Sequence, residues 1–315
     1  MANYNQSVQR GDMRQPVEQV LADAIIQSLP EASLVLGAGT RRVTLSRAQA
    51  RIPVLSMLPE AYFVSGDTGL KETTKQAWEN RFLNVEELAV IVPIPDNVID
   101  DADMDILAAV QPRIVEAVGA KLDAAVLFGV GKPATWDMGD GPTTNGLAQV
   151  CVAKGNYVNA GASVYADIVS TTKMVASDGH PVSAFLADSI YEYDLLGVTD
   201  TLGRPLFTPS PTAGGVGSLL GRPFRWLNNG AWDDTYHFIA GDLQNLIVGI
   251  RRDISWEVFR EGVISDATGK VILNLMQQDS RALRMTLRIA FTVGNPLKRR
   301  SKDNPNAFPF AVLKS

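Results

Sequence analysis

Nucleophilic chemistry in this chain would have to be built from one cysteine, Cys151, and two histidines, His180 and His237. A thiolate or hydroxyl needs a positioned base beside it, and no local signature joins Cys151 to either imidazole. A lone cysteine reads more readily as a small buried apolar residue. The same scarcity removes intrachain disulfides and cysteine-based metal clusters, and leaves little for a zinc site. Two carboxylate pairs, Asp100/Asp101 and Asp233/Asp234, are material for general acid–base work. They fall at an expected helix start and beside an expected turn, where aspartate caps backbone N–H groups.

Gly129-Val130-Gly131-Lys132-Pro133-Ala134 spells a dinucleotide-binding G-x-G-x-x-A. That motif holds a pyrophosphate only between a strand and a helix N-terminus. Here helical periodicity comes before it and Pro133, Thr135 and Trp136 come after it, so the glycines read as a helix C-cap. No G-x-x-x-x-G-K-[ST] phosphate loop occurs. Arg281, Arg284 and Arg288 alternate with apolar residues, as on a solvated or inter-subunit face. No catalytic, cofactor-binding or metal-ligating residue is expected.

The 315 residues carry a formal charge of −5, with 46% apolar and 20% charged residues. Such a chain buries a real core, and its acidity argues against a surface made to neutralise phosphate. Contact with nucleic acid is expected to be loose. No run approaches the roughly 18 apolar residues of a membrane span, and residues 1–15 lack the apolar stretch of a signal peptide. A soluble chain used in a reducing cytoplasm is the expectation.

The elements that must position these residues follow from periodicity. Residues 1–15 are polar and unpatterned, like a mobile arm. Residues 16–29 carry apolar spacing for a short amphipathic helix. Residues 33–58 read as extended. Residues 61–81 form a polar stretch with Gly66 and Gly69, flanked by Tyr62-Phe63-Val64 and Trp78, and predict a long exposed hairpin. Such a ribbon is marginal alone and needs another surface. Residues 83–94 predict a central strand ending at Pro93 and Pro95. Asp100, Asp101 and Asp103 are then N-cap candidates for a helix reaching Phe128. Pro112 predicts either a kink or a short helix followed by a main one of about 25 Å with Pro112 in its first turn. Beyond the glycine-rich loop at 139–146 come helix 166–177, strand 183–186 and helix 189–196. Strands follow at 238–240, 246–250, 255–259, 271–276 and 283–293. The fold class is α+β with mixed sheets and no regular βαβ period.

Several ordered segments resemble the major capsid proteins of tailed bacteriophages, the Hong Kong 97-type fold family, which encapsulin shells share. Leu83 to Ile94 followed by Asp96-Asn97-Val98-Ile99-Asp100-Asp101 is similar to the strand that leads into that family's spine helix. Leu127-Phe128-Gly129-Val130-Gly131 and Thr144-Asn145-Gly146-Leu147 resemble the exit from it. Leu219-Leu220-Gly221-Arg222-Pro223-Phe224, Ala240-Gly241-Asp242 and Gln278-Asp279-Ser280-Arg281-Ala282-Leu283-Arg284 match later patterns in the right order.

The resemblance implies an N-terminal arm at 1–50 and an E-loop hairpin at 52–84. It implies a peripheral domain with a long spine helix at 85–140 and 255–296, an axial domain at 145–250 and a C-terminal segment at 297–315. Lys71, Glu72, Lys75 and Trp78 would serve assembly through the E-loop. Lys71 and Asn274 would be the partners if neighbouring subunits were covalently crosslinked, although a solvated lysine is the ordinary reading. The implied protein builds an icosahedral shell of hexamers and pentamers around double-stranded DNA. It would be assembled in a bacterial cytoplasm with portal and decoration proteins. Its spine helix begins near residue 102, which leaves no room for a cleaved scaffolding segment and implies a separate scaffold or none. An encapsulin-type compartment shares the fold. A soluble α/β enzyme with a pocket near 129–146 is the competing class. The shell reading leans on 1–50 and 61–81 becoming ordered only across neighbouring copies.

Overall fold

The computed structural model describes residues 33–64, 71–102, 106–161, 163–199, 207 and 216–315. The helix expected at 16–29, Gly66, Gly69 and Asp103 lie outside the described residues. The chain divides into two compact units. One holds Glu86–Val118 and Arg252–Ile289; the other holds Ala32–Val85, Gly119–Arg251 and Ala290–Ser315.

In the first unit, β4 (Glu86–Pro95) pairs antiparallel with β13 (Ser280–Val293), from Ser280 opposite Pro95 to Ile289 opposite Glu86. The strand runs through Pro93 and stops at Pro95, the second of the two expected prolines, and it is an edge strand where a central one was expected. Among the described residues β4 pairs on one side only, and an edge strand tolerates a missing N–H. The short helix α2 (Asp96–Asp100) follows, closed by the Asp101 N–H donating to the Asn97 carbonyl at 3.1 Å. Asp100 and Asp101 therefore end a helix, which corrects their reading as N-caps. Helix α3 (Ile106–Phe128) spans 23 residues, about 34 Å at 1.5 Å per residue. Pro112 sits at its seventh position, inside the helix, which corrects the expectation of a main helix of about 25 Å with Pro112 in its first turn. Ile94, Val98 and Ile106 form the small core of this unit. Two more strands, β11 (Val263–Ser265) and β12 (Val271–Asn274), make a hairpin.

Ion pairs explain the spaced arginines of β13, of which Arg284 and Arg288 share one face and Arg281 lies on the other. Arg281 meets Asp96 at 2.7 Å, Arg288 meets Glu87 at 2.6 Å, and Arg284 pairs with Glu257 of β10 (Leu246–Phe259). Each basic group has an acidic neighbour on a flanking segment: Asp96 on α2, Glu87 on β4 and Glu257 on β10. The two strands expected at 246–250 and 255–259 are this one strand.

The second unit is built on a six-stranded sheet of order β5-β14-β9-β6-β8-β7. Its strands are β5 (Tyr157–Asn159), β6 (Ala184–Asp188), β7 (Val216–Leu219), β8 (Arg222–Leu227), β9 (Tyr236–Gly241) and β14 (Phe310–Lys314). Two helices pack on β14: α4 (Leu147–Ala153) and α5 (Val164–Ser177). A third, α6 (Ser189–Leu196), packs on β6 and β8. Phe185, Phe224 and Phe238 are fully buried, with the Phe185 ring 5.7 Å from Phe224 and 6.0 Å from Phe238. Edge-to-face and offset ring pairs of this kind add to plain burial.

Residues 33–50 pack on their own chain. Leu34 and Val35 of α1 (Leu34–Gly37) are buried, and β1 (Arg41–Thr44) runs parallel to residues 247–250 of β10. The idea that all of 1–50 depends on neighbouring copies is therefore corrected from residue 33 onward.

Candidate assembly surface

A two-stranded ribbon carries the candidate residues. β2 (Gln49–Met57) pairs antiparallel with β3 (Ala77–Asn84), Leu55 lying opposite Trp78. Alternation sets its two faces. Ala50, Ile52 and Leu83 join Leu45, Ile247 and Ala290 in a small core, while the residues between them point to solvent. The base is tied down further. Arg81 pairs with Asp137 at 2.8 Å, the Trp136 indole donates to the Asn84 carbonyl at 3.1 Å, and the Leu297 N–H donates to the Leu55 carbonyl at 3.0 Å.

The expected strand edge at 62–64 is not a strand. Backbone pairing stops at Met57, and Pro59 follows, lacking an N–H to donate. Beyond that point side chains replace the ladder. The Glu60 N–H donates to the Thr74 hydroxyl at 3.3 Å, and the Tyr62 hydroxyl donates to the Glu72 carbonyl at 2.9 Å. Glu60 also pairs with Lys302 at 2.6 Å, and this bond holds the Glu60 carboxyl below the usual carboxylate range.

Lys71, Glu72 and Lys75 are all exposed on the outer stretch. Trp78 is 61% exposed and Phe63 fully so, with Met57, Tyr62, Val64 and Phe82 also open. Six large apolar side chains on one ribbon form the kind of patch that marks a protein contact. Sequence reading found Trp78 and the 62–64 run. It missed Met57 and Phe82, which the ribbon leaves open on the side away from Leu45 and Ile247. Asn274 ends β12, and its side-chain amide donates to Gln277 at 2.9 Å.

The residues screened for chemistry take structural roles. Cys151 is buried, and burial pushes its thiol far up. The Gly129 N–H donates to the Ala125 carbonyl at 3.0 Å with φ +71°, an αL cap at the end of α3. A helix, not a strand, thus precedes the G-x-G letters. Asp233 accepts from the Thr235 N–H at 2.9 Å within a turn.

Buried, well-packed units with an open apolar ribbon suit a protein that meets other chains through that ribbon. The comparisons with known proteins agree. Residues 16–296 match the model of the phage capsid family. The chain is similar to a structure from Microbacterium phage Oxtober96, at 29% identity and TM-score 0.79 over 98% of this chain and 99% of that one. It is similar to one from Mycobacterium phage Cain, at 29% identity and TM-score 0.79 over 98% of each chain. A structure from Mycobacterium phage Bobi matches at 26% identity and TM-score 0.80 over 98% of this chain and 99% of that one. A comparison with curated proteins finds no match. The chain belongs to the phage capsid family. It is a major capsid protein, a structural subunit of the virion shell and not an enzyme.

Proposed function

We propose that the ribbon at 52–84 is an E-loop that orders the shell by lying over a neighbouring copy. The observation that carries this is the exposure of Phe63 and Trp78 at a ribbon whose base is firmly packed. The apolar end is open while the anchor is closed, as suits a part built for a partner's surface. Copies then associate as hexamers and pentamers around double-stranded DNA, with residues 1–50 as an arm. Residues 85–140 and 255–296 form the peripheral domain, and 145–250 the axial domain. Repeated contacts of this kind close by symmetry. Scaffold, portal and decoration proteins, and assembly in the host cytoplasm, belong to the same reading. With a formal charge of −5, the subunit holds packaged DNA loosely and without sequence preference.

Expressed full-length chain tests the proposal. Wild type forms megadalton shells under electron microscopy that protect DNA from nuclease; shells that protect protein cargo instead are an encapsulin-type compartment. Phe63→Ser with Trp78→Ala keeps the subunit's melting temperature and loses the shells. Shells that form as well as wild type in that variant would remove the E-loop role. If Lys71 of one copy and Asn274 of another were joined, an Nζ–Cγ bond would form with loss of ammonia, giving a ladder on a denaturing gel. A single 34.0 kDa band shows that the contacts are non-covalent.

A further inference from the structure

We propose that residues 297–302 form a clasp that sets the angle of the E-loop, with Arg299 and Lys302 as its positioning residues. The inference rests on the E-loop reading above and deepens it with residues that lie more than 200 positions beyond that loop in sequence.

The clasp grips the ribbon where its own ladder gives out. Backbone pairing between β2 and β3 ends at Met57 opposite Ala77, and a two-stranded ribbon is marginal by itself. Three contacts from one segment arrive at this place. The Leu297 N–H donates to the Leu55 carbonyl at 3.0 Å, the Arg299 guanidinium donates to the Pro59 carbonyl at 2.9 Å, and Lys302 pairs with Glu60 at 2.6 Å. They bracket 55–60, from the last paired residues to the first unpaired ones. Farther out, the bonds of Glu60 to Thr74 and of Tyr62 to Glu72 join the two sides to each other and not to the rest of the unit. The direction in which Phe63 is carried is therefore decided at 55–60.

A grip fixes an angle only if its far side is fixed too. Residues Arg299–Ser301 form a 3-10 turn, and the buried Ser301 hydroxyl donates to the Asp178 carbonyl at 2.8 Å. The Asp178 carboxylate, also buried, accepts from the Phe308 N–H at 3.0 Å, from Asn156 at 2.8 Å and from Asn304 at 3.3 Å. Asp178 closes α5, and Phe308 leads into β14. The clasp thus ties the ribbon to the core sheet of the second unit.

The Lys302 and Glu60 side chains are 49% and 66% exposed, so their pair adds little to the fold. Its effect falls on association. An arm already held near its docked angle gives up less conformational freedom when it meets a neighbour, which strengthens the contact.

The test uses full-length chain with spin probes at Thr73→Cys, on the outer stretch, and Lys173→Cys, on α5; Cys151 is buried and stays unlabelled. In unassembled subunit the distribution of probe distances should be narrow with the native clasp and broad with Arg299→Ala plus Lys302→Ala. Arg299→Lys plus Lys302→Arg should keep it narrow, because both contacts can be remade. In the unlabelled chain the alanine variant should melt within about 2 °C of wild type. It should need about threefold more subunit for half-maximal shell, while the conservative variant assembles as wild type does. Equal distance widths in the native and alanine forms would overturn the proposal. So would a broadened ribbon that assembles at the wild-type concentration. The distance measurement needs no shell, whereas the E-loop reading stands or falls with Phe63→Ser plus Trp78→Ala, so the two failures are told apart.

Discussion

The carboxylate of Asp123 accepts a hydrogen bond from the backbone N–H of Leu34 at 2.8 Å, across 89 positions of sequence. It accepts three more, from the Val35 N–H at 3.0 Å, the Asn229 amide at 2.9 Å and the Ser33 hydroxyl. Asp123 is fully buried, and burial raises its pKa against the pull of these four donors. One side chain from α3 thus caps α1 and fixes where residues 33 onward join the second unit.

Asp123→Asn should lower stability by about 2–3 kcal/mol in urea unfolding of unassembled subunit. The amide keeps one oxygen but turns an NH2 toward donors that had donated to the second carboxylate oxygen, and orphaned buried N–H groups cost about 1–3 kcal/mol each. An unchanged unfolding midpoint would show that residues 33–37 are held by packing alone.

The C-terminal strand should be as important. Phe310 of β14 is fully buried, and the strand runs between β9 and β5, pairing with both. Phe310→Ala removes most of a ring from a filled core, at about 3–5 kcal/mol. A thermal melt of the subunit checks it. A loss under 1 kcal/mol would mean that the sheet closes without this strand.

How much of this was legible follows from the residues. Long patterned elements were readable: α3, ending at Phe128, and β13 with its arginine alternation came from periodicity. Strand β14 was not read, because the basic, proline-containing stretch from Lys298 to Pro309 made the tail look irregular. Its signal was the apolar run Phe310-Ala311-Val312-Leu313, which has no alternation because both faces are buried. Helix α4 is only seven residues long, too short for a helical period to show. The ribbon was recognised from its composition, but its strands lie at 49–57 and 77–84, further from the tip than Tyr62 suggested. Which apolar residues the ribbon leaves open is set by tertiary packing on Leu45 and Ile247, and no local pattern reports that.

Acid should weaken the second unit through His180. This ring is 2% exposed, and burial, then the charge of Lys298, hold its pKa below the ordinary 6.5, while Asp242 and Asp178 pull it up. The unfolded chain therefore takes up a proton before the folded one does. Stability from this group is complete above about pH 6.5 and drains away as pH falls below it. Melting temperature between pH 7 and 5 should fall more steeply for wild type than for His180→Gln. Parallel curves would assign the acid sensitivity to other groups.

Surface charge should matter little to the single chain. Arg288 and Glu87 meet at 2.6 Å, but their side chains are 42% and 45% exposed. Water and salt screen such a pair, so Arg288→Ala should cost less than about 1 kcal/mol. A larger loss in unassembled subunit would mean that the paired face of β13 stabilises the first unit as a network.

The exit from α3 should be the least forgiving site for a small change. A Cβ at Gly146 would stand 2.2 Å from the Gly129 nitrogen and 2.5 Å from the Phe128 carbonyl carbon. Both obstacles are backbone, so neither can rotate away, and Gly129 itself holds φ +71° to cap the helix. The two glycines sit in the segments that sequence reading matched to the family's helix exit, and their contact supplies the physical reason for both. Gly146→Ala should cost at least about 2 kcal/mol, more than overpacking at a flexible core position. It should also reduce the yield of folded subunit at 37 °C. Gly155→Ala is the control: that glycine also has positive φ, +79°, but nothing lies within 4 Å of an added Cβ. Only the strain of the left-handed conformation, roughly 1 kcal/mol, should appear there. Equal losses at 146 and 155 would mean that the chain relaxes around Gly129 and that backbone contact does not set the geometry of the exit.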